Sequence, residues 1–256
     1  MLYFVGFYQN FYVPKQISSN IETGISGIDV IQNFSLILLF GLQHSIMARS
    51  WFKKWWSNII PASLERVTYL LFSSIILGII IMYWQPINII IWDIRGSAVA
   101  VFFRGISVLG LIIIVVSVLS LSSADFIGWQ QFKSATEATE TFQIPLLYKV
   151  VRHPIYFGFL LSIWSAAHMT LGHLFFAILI SAYIYVGAAL EERNLVERFG
   201  VKYKLYQQEV AMLIPFVKFP LWKTIINKQT LNIFHTFMTF EKHNFSIYNY
   251  TNYKRW

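Results

Sequence analysis

The segment Arg152-His153-Pro154-Ile155-Tyr156-Phe157-Gly158 gathers a fixed cation, an imidazole and a phenol around one proline. Proline suits the first turn of a helix and pushes the residue before it out of helical conformation. His153 is therefore expected at a helix N-terminus, where free N–H groups and the positive end of the dipole favour an anion such as a carboxylate. A plainer reading, with Arg152 and His153 marking a membrane boundary, fits the spacing equally well. Further on, Glu191-Glu192-Arg193 places two adjacent carboxylates at the end of an apolar stretch. Such a pair is costly there unless it acts or stays wet, and acids at a helix C-terminus oppose the dipole. A solvated helix end is the alternative. Tyr203 and Tyr206 follow at helical spacing and would pack over the same place. A histidine at a helix start beside two carboxylates makes a pocket of mixed donors and acceptors. It would suit an amphoteric cofactor carrying ribose hydroxyls, a carboxylate and a cation.

A third group is Gln43-His44-Ser45, with Arg49 shortly after, then Lys53-Lys54-Trp55-Trp56 and Glu65-Arg66. Gln43 and His44 fall near the end of an apolar run, where ionisable groups are candidates for function. A structural histidine at a helix end is the other reading. Trp55 and Trp56 read as interfacial anchors.

The elements that must hold these groups are apolar. Of 256 residues, 56% are hydrophobic and 12% charged, about half the charged share of a soluble domain. That surplus of apolar surface calls for a bilayer. There is no cysteine, which excludes disulfides, thiolate-bound metals and a catalytic thiol. Four runs approach the roughly 20 apolar residues of a membrane span: Ile28 to Met47, Val67 to Trp92, Gly105 to Ala124, and Ile155 to Leu190. Pro86 would kink or end the second. The fourth is too long for one crossing, and Gly172-His173 near its middle predicts a tight helical hairpin. The fold expected is an all-α, multi-pass transmembrane bundle of about five spans, with cytosolic helices over Glu191 to Val210 interrupted at Gly200. Met1 to Val13 is too short to cross and is expected as an interfacial segment or the end of a helix; no cleavable signal peptide is read there. Residues 1–216 form the membrane domain, and residues 217–256 are expected as an interfacial or disordered tail.

The formal net charge of +8 would suggest nucleic acid in a soluble protein. Here the basic residues crowd alternate connections: Arg49, Lys53, Lys54 and Arg66; then Lys133, Lys149 and Arg152; then Arg193, Arg198, Lys202 and Lys204. The intervening loops carry chiefly Lys15, Arg95 and Arg104. This is the positive-inside pattern, so the partner is a lipid bilayer rather than nucleic acid, and the basic side is expected to face the cytosol.

Residues 152–158 followed by Glu191-Glu192 resemble the C-terminal core of the isoprenylcysteine carboxyl methyltransferase superfamily, an appearance shared by NnrU-like proteins. A closer resemblance is to the bacterial methanethiol S-methyltransferase group. It rests on Leu42-Gln43-His44-Ser45-Ile46-Met47-Ala48-Arg49, Phe52 to Trp56, Pro61 and Glu65-Arg66-Val67-Thr68-Tyr69. It continues through Leu190 to Leu195, Phe199-Gly200 and Met212-Leu213-Ile214-Pro215, and covers roughly residues 1–216. Three features depart from the pattern. The stretch before Phe11 is shorter than a family first helix, Gln130 stands where the family carries arginine, and the residues after Phe216 have no family counterpart.

The resemblance implies a membrane enzyme that uses S-adenosyl-L-methionine to methylate a small thiol, with methanethiol as acceptor and dimethyl sulfide as product. Arg152, His153, Tyr156, Glu191 and Glu192 would bind the cofactor. A thiolate is the competent nucleophile, so His44 is the candidate base, with Arg49 or Arg66 stabilising the thiolate. Two alternatives remain open. The same fold would accept a prenylated thiol-acid or a lipid amine, and a non-catalytic protein with a degenerate site would keep the same helices.

Overall fold

The computed structural model describes residues 2–19, 24–120 and 144–217. Four helices in it are long and apolar enough to cross a membrane: α2 (Gly27–Met47), α4 (Glu65–Tyr83), α5 (Ala98–Ser120) and α7 (Leu171–Phe199). Shorter helices accompany them: α1 (Leu2–Gln9), α3 (Ser50–Trp56), α6 (Pro154–Trp164) and α8 (Val201–Glu209). Two short strands, β1 (Ile90–Asp93) and β2 (His168–Thr170), pair antiparallel. The surface is that of a bilayer protein. Along α5, Val101, Phe102, Val108, Ile112 and Val115 point outward, while Ser107, Gly110 and Ser117 are buried. Large apolar side chains facing out and small ones facing in are what lipid rewards, since tails are as apolar as leucine and close helix contact supplies the attraction.

That contact is tightest between α5 and α6. A Cβ on Gly110 would lie 2.5 Å from the carbonyl oxygen of Gly158, and one on Gly158 would lie 2.5 Å from that of Gly110. The two backbones touch because neither residue has a side chain. One turn further along α6, the Ser162 hydroxyl meets Ser107 at 3.2 Å and the Tyr8 hydroxyl at 2.9 Å. Tyr8 and Phe7 are fully buried and pack with Trp84 and Phe176. Of the two expectations for the N-terminal segment, the helical one agrees with the structure: α1 is a helix whose Phe7 and Tyr8 rings fill space between α4 and α7, while Leu2 and Tyr3 stay exposed.

Two boundaries also differ from expectation. The second span stops at Tyr83, seven residues before β1, because Pro86 cannot continue a helix and displaces Gln85 from helical conformation. Buried Asn33 of α2 seals the break, donating to the Gln85 carbonyl at 2.8 Å and accepting from its N–H at 2.9 Å. The expected turn at Gly172-His173 lies earlier. α6 has only 11 residues, about 16 Å at 1.5 Å per residue, and residues 165–170 return in extended form. Their backbone needs partners away from water, and residues 87–94 supply them. The Ala166 carbonyl accepts from Trp92 Nε1 at 3.0 Å, the Ala167 carbonyl from the Ile94 N–H at 2.9 Å, and the Leu171 N–H donates to the Ile89 carbonyl at 2.7 Å. Gly172 and His173 instead occupy the buried first turn of α7, capped by Thr170.

Candidate active site

Chain direction alone brings the sequence motifs together. The C-terminal end of α2, the start of α4, the start of α6 and the last third of α7 meet at one end of the bundle. Val151 forms a parallel bridge with Ala211; the Arg152 and His153 N–H groups donate to the carbonyls of Ala211 at 2.8 Å and Met212 at 3.1 Å. Pro154 then opens α6, and His153 sits as its N-cap, 6% exposed, as its place before a proline predicts.

The two glutamates do different work. α7 runs unbroken to Phe199, so Glu191 and Glu192 lie inside the helix rather than at its C-terminus; the helical character expected over 191–210 and its interruption at Gly200 are both seen, with the first part continuous with the apolar span. Gly200, with φ +58°, makes the break before α8. Successive residues on a helix point about 100° apart, so one glutamate turns inward and the other outward. Glu192 is buried and forms a two-pronged pair with Arg152, through Nε to Oε1 and through Nη2 to Oε2 at 3.0 Å. Gln207 of α8 adds a bond to Oε2 at 2.9 Å, and Arg152 Nη1 donates to the carbonyls of Gln207 and Val210. A buried ion pair survives desolvation only when its remaining polar positions are also satisfied, and here they are. Tyr203 and Tyr206 pack edge to face on each other, within electrostatic range of this pair. Burial, opposed by the Arg152 charge, raises the Tyr206 hydroxyl to about 12, and it donates to the Tyr148 carbonyl.

Glu191 is half-exposed and accepts from the Tyr156 hydroxyl at 3.1 Å. The Tyr156 ring stacks on His153, whose Nδ1 lies 3.7 Å from Glu191 and whose Nε2 lies 3.3 Å from Glu192. Nε2 is buried against the Glu192 carboxylate. Glu191 and Tyr156 thus present an acceptor and an aromatic face, with the His153 ring stacked on Tyr156. Burial and the Glu191 charge raise the Tyr148 hydroxyl well above its usual range.

The α2 motif builds a second cluster. His44 stacks on Phe40, and its Nδ1 lies 3.1 Å from the hydroxyl of buried Ser73. The Tyr69 hydroxyl lies 2.6 Å from Nε2. Gln43 approaches Met47 Sδ at 3.0 Å, and Ser45 approaches the Tyr183 hydroxyl at 3.5 Å. Behind them, Glu65 pairs with Lys53 at 3.1 Å and Trp56 donates to Thr68 at 3.0 Å, which fastens α3 to α4. Tyr69 joins the two clusters, lying within electrostatic range of Glu191, Arg66, Tyr183 and Tyr156. Arg49 reaches the group through Tyr183. Gln43, His44 and Ser45 of α2, His153 and Tyr156 at α6, and Glu191 and Glu192 of α7 are therefore all found at this end. Sequence reading missed Tyr69, Ser73 and Tyr183. The signal was present in the four-residue spacing of Tyr69 and Ser73 on one face of an apolar span. Gln130, and the segment Asp125 to Gln130 around it, lie outside the described residues, as does the stretch 218–256.

Four apolar spans around a polar cluster at one end define an integral membrane protein with its candidate site at the end of the helical bundle. The chain is 42% identical to a methanethiol S-methyltransferase of a Pseudomonas species, with 84% of each chain covered. It is 41% identical to methanethiol S-methyltransferase 1 of Bradyrhizobium diazoefficiens, over 84% of this chain and 77% of that one. Against the methanethiol S-methyltransferase of Mycobacterium tuberculosis the identity is 38%, with 84% and 89% covered. The chain belongs to the methanethiol S-methyltransferase family. A more distant likeness, 23% over 66% of the chain, is to Nurim of Bos taurus. No family model and no solved structure matches.

Proposed function

We infer that this protein transfers a methyl group from S-adenosyl-L-methionine to the sulfur of methanethiol, releasing dimethyl sulfide, at a site on the cytosolic face of the cell membrane. One observation carries the reading. In a chain of this family, the Tyr69 hydroxyl contacts His44 and lies within electrostatic range of Glu191, which supports a reading in which acceptor and donor meet between the two clusters. The basic residues on the connections at this end, Arg49, Lys53, Lys54, Arg66, Lys149 and Arg152, support a cytosolic orientation.

The donor-side residues fit the cofactor. The N-terminus of α6, with His153 as its N-cap, is a seat for a carboxylate. Half-exposed Glu191 is an acceptor for an ammonium or ribose hydroxyls, and the Tyr156 ring is a face for a cation. Arg152 and Glu192 hold this frame in shape. Bound S-adenosyl-L-methionine supplies an electrophilic methyl group on a positively charged sulfur. The protein's own contribution is to align the acceptor for in-line attack, to take its proton at the His44 cluster and to stabilise the thiolate with Arg49 or Arg66.

The test is S-adenosyl-L-methionine binding to detergent-purified protein, with headspace detection of dimethyl sulfide on adding methanethiol. Binding with product is expected. Binding without product would move the search to a prenylated or lipid acceptor, and absence of binding would overturn the reading.

A further inference from the structure

We propose that Tyr69, rather than His44, is the group that takes the proton from the thiol, with His44 and Ser73 forming the relay behind it. This rests on the thiol-methylation reading and assigns its first step. Both imidazole nitrogens of His44 already face protein hydroxyls: the Tyr69 oxygen lies across the ring, 2.6 Å from Nε2 and 3.0 Å from Nδ1, and Ser73 Oγ lies 3.1 Å from Nδ1. Phe40 covers one face of the ring, with centroids 5.1 Å apart, and the Tyr183 ring stands edge-on at 6.4 Å. An incoming sulfur therefore meets the phenol first. Tyr69 is also the member of the cluster that lies within electrostatic range of Glu191 and Tyr156, on the donor side. Arg66 stands in the same range and supplies a positive charge that favours a thiolate sulfur beside the phenol.

The relay runs in one direction. The thiol S–H bond breaks as its proton passes to the Tyr69 oxygen, and the Tyr69 O–H proton passes to the free nitrogen of the His44 imidazole. Ser73 Oγ stands against Nδ1 of the imidazolium so formed. The thiolate sulfur then attacks the methyl carbon, forming the new S–C bond as the bond to the donor's sulfonium breaks. That electron pair stays on the donor sulfur and cancels its charge. His44 afterwards returns its proton to water. Across the whole turnover one proton is released and the phenol ends as it began.

The test compares wild type with Tyr69→Phe, which keeps the ring and its packing. Methanethiol turnover is followed across pH, together with S-adenosyl-L-methionine affinity and the melting temperature. The groups facing the relay across this range are Glu191, Arg66, Tyr183, Tyr156 and, through Tyr183, Arg49. Loss of kcat/KM by about a hundredfold at neutral pH is expected, the usual scale for a positioned proton acceptor, with donor affinity and melting unchanged. The deficit should shrink as pH approaches the thiol's own pKa, where thiolate forms without help. It should shrink likewise with a more acidic thiol such as trifluoroethanethiol. A deficit independent of pH and of thiol acidity would overturn the relay, as would full activity or a loss confined to donor affinity. A wild-type protein that binds the donor but methylates no thiol would overturn the thiol reading itself, a result distinct from wild-type turnover with an unaffected variant.

Discussion

Arg152 and Glu192, forty residues apart in sequence, meet as a buried two-pronged ion pair that joins the start of α6 to the last third of α7. Arg152 also donates to the carbonyls of Gln207 and Val210, so one side chain binds three parts of the chain around the site. Arg152→Lys should therefore fail to substitute. An ammonium cannot span two carboxylate oxygens and two carbonyls in one plane. Breaking a buried pair costs about 3–5 kcal/mol, which a fall in melting temperature or in the yield of folded detergent-solubilised protein will read.

Glu191→Gln and Glu192→Gln should separate cleanly. Glu191 is half-exposed, so its loss should leave melting nearly unchanged and weaken S-adenosyl-L-methionine binding by about tenfold, or 1.4 kcal/mol. Glu192→Gln leaves the Arg152 charge buried without a counter-charge and should lower the melting temperature sharply. Equal effects of the two substitutions on stability would contradict the division of roles.

His44→Ala should reduce turnover far more than cofactor affinity, because the imidazole stands with Tyr69 and Ser73 rather than with Glu191 and His153. Isothermal titration alongside headspace product assay distinguishes the two. Full activity would remove His44 from the proton path.

Gly110→Val and Gly158→Val should each prevent normal folding. A Cβ at either position would lie 2.5 Å from a backbone carbonyl oxygen of the opposite helix, which cannot turn aside as the end of a flexible side chain can. Expression followed by size-exclusion chromatography should show aggregate, whereas Gly78→Val, where a Cβ meets nothing within 4 Å, should remain monodisperse.

Sequence reading reached the membrane class and the convergence of its motifs because those follow from long apolar runs and from alternating charge. His153 at a helix start was legible from Pro154 alone. The different fates of Glu191 and Glu192 were not, since adjacency says nothing about which face of a continuing helix is buried. The hairpin turn was misplaced because Gly172-His173 carries a local turn signal. The feature that shapes the chain there, pairing of residues 168–170 with 90–93, joins segments some 75 residues apart and leaves no local trace. Tyr69 was overlooked because an aromatic residue in an apolar span reads first as lipid-facing.

The Gly110–Gly158 contact lies one helical turn beyond His153. It is made of backbone alone, so it offers no side chain whose exchange could shift α6 by a fraction of an ångström. The part of the candidate site built on α6 thus rests on a fixed datum, much as an instrument rests on a machined seat. Divergence toward bulkier or more polar acceptors has room only on the opposite wall, where α2 and α4 present Gln43, His44, Tyr69 and Ser73. A lineage exploring new acceptors would be expected to change those side chains while leaving the seat untouched.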